Sequence, residues 1–209
     1  MPIFLPEKLI QYTLASGLAA IKAAPSTYIP DIFDDDLVGE SYLTTVTTFL
    51  ANNKVKISQG YPLDDQRVPG WFVIPSQIQQ NEQFIGDFIA DDAIETGDET
   101  VIENLGQINN YVVKVIVADT NADVVLFLDA IARYILSSTA DDFAGYNFHE
   151  VNISATDFDP VYQYLPQEFA KRTITVSGKG IDTWSVSQRL ITDVRIFAKY
   201  RDDYEYIEI

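Results

Sequence analysis

The segment Tyr111–Asp119 is apolar on both faces of any strand it forms. Tyr111, Val113, Val115 and Val117 fall on one side, and Val112, Ile116 and Ala118 on the other. Side chains alternate across a strand, so such a segment must be covered from both sides. The chain is therefore expected to build a sheet with this strand at its centre and layers packed against it.

The flanking segments supply those layers. Ile10, Leu14, Leu18 and Ile21 recur at helical spacing after Pro6, a residue well placed in a first turn, and Pro25 is read as the stop. Asp34-Asp-Asp36 offers caps and favourable charge for a second helix to about Ala51, with Leu43, Val46 and Leu50 inward. A third helix follows the central strand, capped by Thr120 or Asn121, with Val124, Leu128, Ile131 and Ile135 on its inner face.

Further strands are expected at Lys54–Ser58 and Trp71–Ile78, joined as a long hairpin through the turn signals of Gln59–Gly70. Phe84–Ala90 reads as a short strand, and Asp91–Gln107 as an acidic loop excursion. Alternation marks His149–Ser154, Arg172–Ser177 and Thr183–Ser187, the last two joined by a turn at Gly178-Lys-Gly180, and a final strand Leu190–Tyr200.

The fold class expected is α+β, a single domain over 1–209. Its helical part is 6–51, its mixed, mostly antiparallel sheet lies within 54–200 with a helix at 122–137, and a tail follows at 202–209. About three helices pack the sheet.

Composition narrows the function. With 31 acidic against 14 basic residues the net charge is −17, and no base lies between Arg67 and Lys114. Coating nucleic acid by phosphate neutralisation needs clustered Lys and Arg, so that class is set aside. No run approaches the ~20 apolar residues of a membrane helix, and Met1–Pro6 lacks the basic and apolar stretches of a signal peptide. Without cysteine there is no disulfide or thiolate chemistry.

No catalytic pattern stands out. His149 is the single histidine and has no histidine or cysteine partner, and the hydrolase-elbow, zinc-helix and phosphate-loop motifs are missing. Asp119-Thr-Asn121-Ala-Asp123 opens like a calcium loop. Val124 stands where glycine is needed, however, and Ala130 where a bidentate glutamate belongs, so helix capping accounts for it. Asp34–Asp36 with Asp157 and Asp159 is the other acidic cluster, again read as a cap. No cofactor, metal or enzymatic activity is expected.

The order Val55-Lys-Ile-Ser-Gln-Gly-Tyr-Pro62, a loop ending Val68-Pro-Gly70, Trp71-Phe-Val-Ile-Pro-Ser, Phe84-Ile-Gly-Asp87, then strand Tyr111–Asp119 feeding helix Ala122–Leu136, resembles the neck and tail-terminator proteins of tailed bacteriophages. The likeness spans roughly Pro6 to Tyr200. It implies a structural virion protein made in the host cytoplasm, a ring usually of six copies that caps the tail tube and joins it to the head connector. DNA passes through such a ring without specific binding, and there are no catalytic residues to carry over. A baseplate or other tail-assembly component is the alternative, with a metal-dependent hydrolase further off.

Two sets of residues are expected to serve that role. Asp91, Asp92, Glu95, Asp98 and Glu99 would line the channel, where like charge keeps phosphates from sticking. Tyr204, Tyr206, Ile207 and Ile209, interleaved with acids, would dock the tail onto a neighbouring chain.

Overall fold

The computed structural model describes residues 5–60, 68–84, 94–96, 100–157, 170–189, 198–199 and 206–207. By proximity along the backbone the chain sorts into two compact units. The larger comprises Ile3–Gln83 and Gln107–Asp182, and the smaller comprises Met1–Pro2, Phe84–Gly106 and Thr183–Ile209. The fold class is α+β, with a mixed sheet and helices.

In the larger unit, α1 (Pro6–Ala23) buries Ile10, Leu14, Leu18 and Ile21, the stripe its spacing dictates. Each such side chain contributes about 1.5–3 kcal/mol on burial. Pro25 does not end the helical region. It occupies the first turn of a new helix, α2 (Pro25–Ile32), where its missing N–H leaves no bond unmade. The single helix expected from Asp34 is likewise two, α3 (Asp35–Val38) and α4 (Glu40–Asn52). Gly39 separates them with φ +76°, a left-handed value that glycine adopts without a Cβ clash. Threonine is a poor helix former, yet Thr44, Thr45 and Thr47 each donate a hydroxyl to the carbonyl four residues back, at 2.8–2.9 Å.

Helix α5 (Ala122–Ser138) starts on the expected cap, the Asn121 side chain accepting the Asp123 N–H at 2.9 Å. It buries Val124, Leu128, Ile131 and Ile135 in the main core, with Ile135 against Gly17 of α1.

The sheet runs β1-β2-β4-β6-β5, with β3 paired to β4. Its strands are β1 (Lys56–Gln59), β2 (Gly70–Phe84), β3 (Ile94–Thr96), β4 (Thr100–Asp119), β5 (Phe148–Asp157) and β6 (Ala170–Arg189). β7 (Ala198–Lys199) and β8 (Tyr206–Ile207) form a separate antiparallel pair.

Four expectations about strands need correction. β1 and β2 are parallel, Lys56 opposite Gly70 and Gln59 opposite Val73, so the connection between them is not a hairpin. Its turn residues redirect the chain without fixing the sense of pairing. Gly178-Lys-Gly180 is not a turn, because β6 runs through it and pairs Gly180 with Phe148. The acidic excursion is partly ladder, since β4 begins at Thr100 and pairs antiparallel with β3. Phe84 closes β2 and does not open a new strand. The rest of Phe84–Ala90 lies outside the described residues, as does all of Leu190–Tyr200 except Ala198 and Lys199.

The main core lies between the helices and one face of the sheet. Trp71, Val73, Val113, Val115, Val117, Ile174 and Val176 meet α1, α2, α4 and α5 there. On the opposite face Phe72, Ile74, Ile116 and Ala118 form a second buried cluster, with Val68 against it. Strand β4 thus contributes to both cores, as its two apolar faces require.

Candidate assembly surface

Strand alternation decides which charged side chains leave the sheet on which side. Ile57 packs into the helix-side core, so Lys56 on β1 points the other way; Lys54, just before the strand, is exposed like Lys56. Lys114 alternates with Val113 and Val115, and Lys171 with Arg172, so these two also project away from the helices. Lys179 follows on the same side of β6. It bonds Glu150 at 2.6 Å, a largely exposed pair of modest worth. Burial lowers the pKa of Lys171 from its ordinary value. Among the described residues, the sheet face opposite the helices thus carries Lys56, Lys114, Lys171 and Lys179.

The helical layer has the opposite character. Between Lys22 and Lys54 there is no basic residue, whereas Asp31, Asp34, Asp35, Asp36 and Glu40 all lie there. Of the bases on this side, Lys8 on α1 is exposed, and three others are engaged. Lys22 donates to the Asn53 carbonyl at 2.8 Å. Arg133 and Arg172 both hold Oδ2 of the fully buried Asp129 at 3.1 Å, tying α5 to β6. Oδ1 of Asp129 has no hydrogen-bond partner among the described residues.

Several large apolar side chains stand clear of the core among the described residues, including Tyr12, Leu126 and Tyr146, and Leu37 is the most exposed of them. Leu37 is 82% exposed and Val38 38%, on the single turn of α3. The turn is fixed from below. Asp34 accepts the N–H of Asp36 on Oδ1, and its carbonyl takes the N–H groups of Leu37 and Val38. Beside it, α2 and α4 enclose a cleft of about 320 Å³ lined by Pro25, Ile29, Pro30, Leu43 and Glu40. Sequence reasoning passed over Leu37. The available signal was an apolar pair enclosed by acids and followed by glycine, in Asp-Asp-Asp-Leu-Val-Gly-Glu.

The other expected site residues are scattered or undescribed. Glu95 is on β3 opposite Val101, while Asp91, Asp92, Asp98 and Glu99 lie outside the described residues. Tyr206 and Ile207 form β8 and pair with Lys199 and Ala198 of their own chain, and Tyr204 and Ile209 are outside the described residues. His149 is half-buried at the start of β5, opposite Lys179. Asp119 Oδ1 accepts the Asn121 N–H at 2.7 Å, which uses the calcium-loop look-alike as a turn ahead of α5. Among the described residues no three His, Asp or Glu side chains converge as metal ligands. No helix among them is long and apolar enough to cross a membrane.

The sequence matches no known family model and no curated protein.

Proposed function

We propose that the protein is a structural component of a bacteriophage tail that closes into a ring of identical copies at the head–tail junction, as a neck or tail-terminator protein, and leaves a channel for DNA. The observation that supports this reading is the distribution of charge among the described residues, lysines on the sheet face opposite the helices and carboxylates beside an exposed apolar turn among the helices. A surface of that kind is complementary to itself only when copies meet head to tail, and head-to-tail contacts generate rings when the rotation closes. In this reading the acidic segment 91–99 borders the channel, and the tail 202–209 reaches a neighbouring chain.

The test is the particle mass of the purified chain by native mass spectrometry, with electron microscopy of the same sample. A closed ring with a central opening is expected. A chain that stays monomeric at every concentration and ionic strength, with no ring density attributable to it in assembled particles, overturns the proposal.

A further inference from the structure

Resting on the ring reading, we infer that α3 is the element one copy inserts into the next, and that Lys54 and Lys56 of the neighbouring copy's edge strand receive it. Leu37 and Val38 seat beside the half-buried Val68 and Pro69, while Asp34, Asp36 and Glu40 face the two lysines. The receiving surface is continuous, since the Pro69 carbonyl accepts the Lys56 N–H at 2.9 Å.

Three features select this pairing. Leu37, the most exposed large apolar side chain among the described residues at 82%, has no role in its own core. The carboxylates around it exclude an anionic partner such as DNA and call for a basic one. Of the lysines on the sheet face opposite the helices, Lys179 is bonded to Glu150, and Lys114 and Lys171 also have partners. Lys54 and Lys56 carry no ion pair among the described residues.

The acidic turn belongs to the helical layer and Lys56 leaves the sheet on the other side. They satisfy each other between copies and not within one. The edge of β1 is also unsuited to strand addition, because Gln11 of α1 already donates to the Ile57 carbonyl at 3.4 Å. The contact is therefore made by side chains.

The chain has no cysteine, which makes the test direct. Full-length Leu37→Cys and Lys54→Cys variants are prepared separately, mixed, and oxidised. A disulfide-linked dimer that forms in the mixture, and in neither variant alone, is the expected result. A dimer in Leu37→Cys alone means a twofold contact and overturns the proposal, as does no dimer in any sample.

Charge reversal gives the second readout. Lys54→Glu with Lys56→Glu, or Asp34→Lys with Asp36→Lys, is expected to raise the concentration needed for assembly by at least about tenfold. Combining the four changes should restore most of the loss. Wild-type rings insensitive to all of these changes would sink the contact and leave the ring standing, whereas a wild-type chain that forms no ring removes both.

Discussion

The ring of Phe148 fills the space that a side chain on Gly178 would need. A Cβ there would stand 2.6 Å from Cε2 and 2.8 Å from Cζ of the ring, and 3.0 Å from the His149 carbonyl oxygen. Phe148 is fully buried and packs against Phe143 at 6.1 Å between centroids, so it has little room to yield. Gly178→Ala is expected to destabilise the fold by about 1–3 kcal/mol through overpacking. In a Phe148→Leu background the same change should be much milder. A urea-denaturation double-mutant cycle measures the difference, and equal penalties in both backgrounds would refute the clash.

Asp129 is expected to be the most sensitive charged position in the larger unit. Asp129→Asn leaves two guanidinium groups facing a neutral amide at a fully buried site. The expected loss is about 2–4 kcal/mol, below the full penalty for breaking a buried pair because both arginines still reach water. Arg172 is 28% exposed and Arg133 45%, so Arg172→Ala should cost more than Arg133→Ala. The order Asp129, Arg172, Arg133 is checked by chemical denaturation, and a reversed order for the arginines would contradict the α5–β6 tie.

Tyr42 is expected to make the fold less stable at alkaline pH. Burial raises its pKa above the ordinary value, and the nearby Asp123 carboxylate raises it further. The folded state thus holds the phenolic proton more tightly than the unfolded chain. This contribution is intact below pH about 10 and is lost as pH rises through the folded-state value. Tyr42→Phe keeps the edge-to-face contact with Phe33 and should flatten the fall in stability in that range. Lys171 works in the opposite direction, because its depressed pKa means that the cost of its charge fades with rising pH. The variant must therefore be compared with wild type at each pH. Identical slopes would rule out the Tyr42 contribution.

Deleting 202–209 removes β8 and its pairing with Ala198–Lys199. These residues belong to the smaller unit, so the unfolding transition of the larger unit should be unchanged while assembly is impaired. Assembly at the wild-type level would mean that the tail takes no part in it.

Local pattern carried much of the fold. The two-faced strand, the α1 stripe and the Asn121 cap each depend on residues a few positions apart, and each stands as expected. What stayed hidden depends on distant neighbours. Gly178 looks like a turn residue until Phe148 is placed beside it. The parallel sense of β1 and β2 is a fact about where the chain returns, which turn residues do not encode. The lysine-bearing face was hidden for a related reason. Alternation shows that Lys56 and Ile57 leave β1 on opposite sides, but only the packing of Ile57 tells which side is which. The separation of Leu37 from the core accompanies the break at Gly39, where the sequence pattern predicts a continuous helix.

Among the described residues, lysines on one sheet face and carboxylates in the helical layer add a local charge asymmetry to the net charge of −17. The two act over different ranges. At 0.01 M salt the screening length is about 30 Å, so net repulsion keeps whole molecules apart. Near 0.15 M it is about 8 Å, and what one molecule feels of another is the nearest face. Like faces then turn away from each other and unlike faces draw in, so that orientation is chosen before any apolar contact forms. At 1 M even that attraction is screened. The rate of assembly should accordingly rise and then fall with ionic strength, with its maximum near physiological salt, and light scattering after a salt jump would trace the curve.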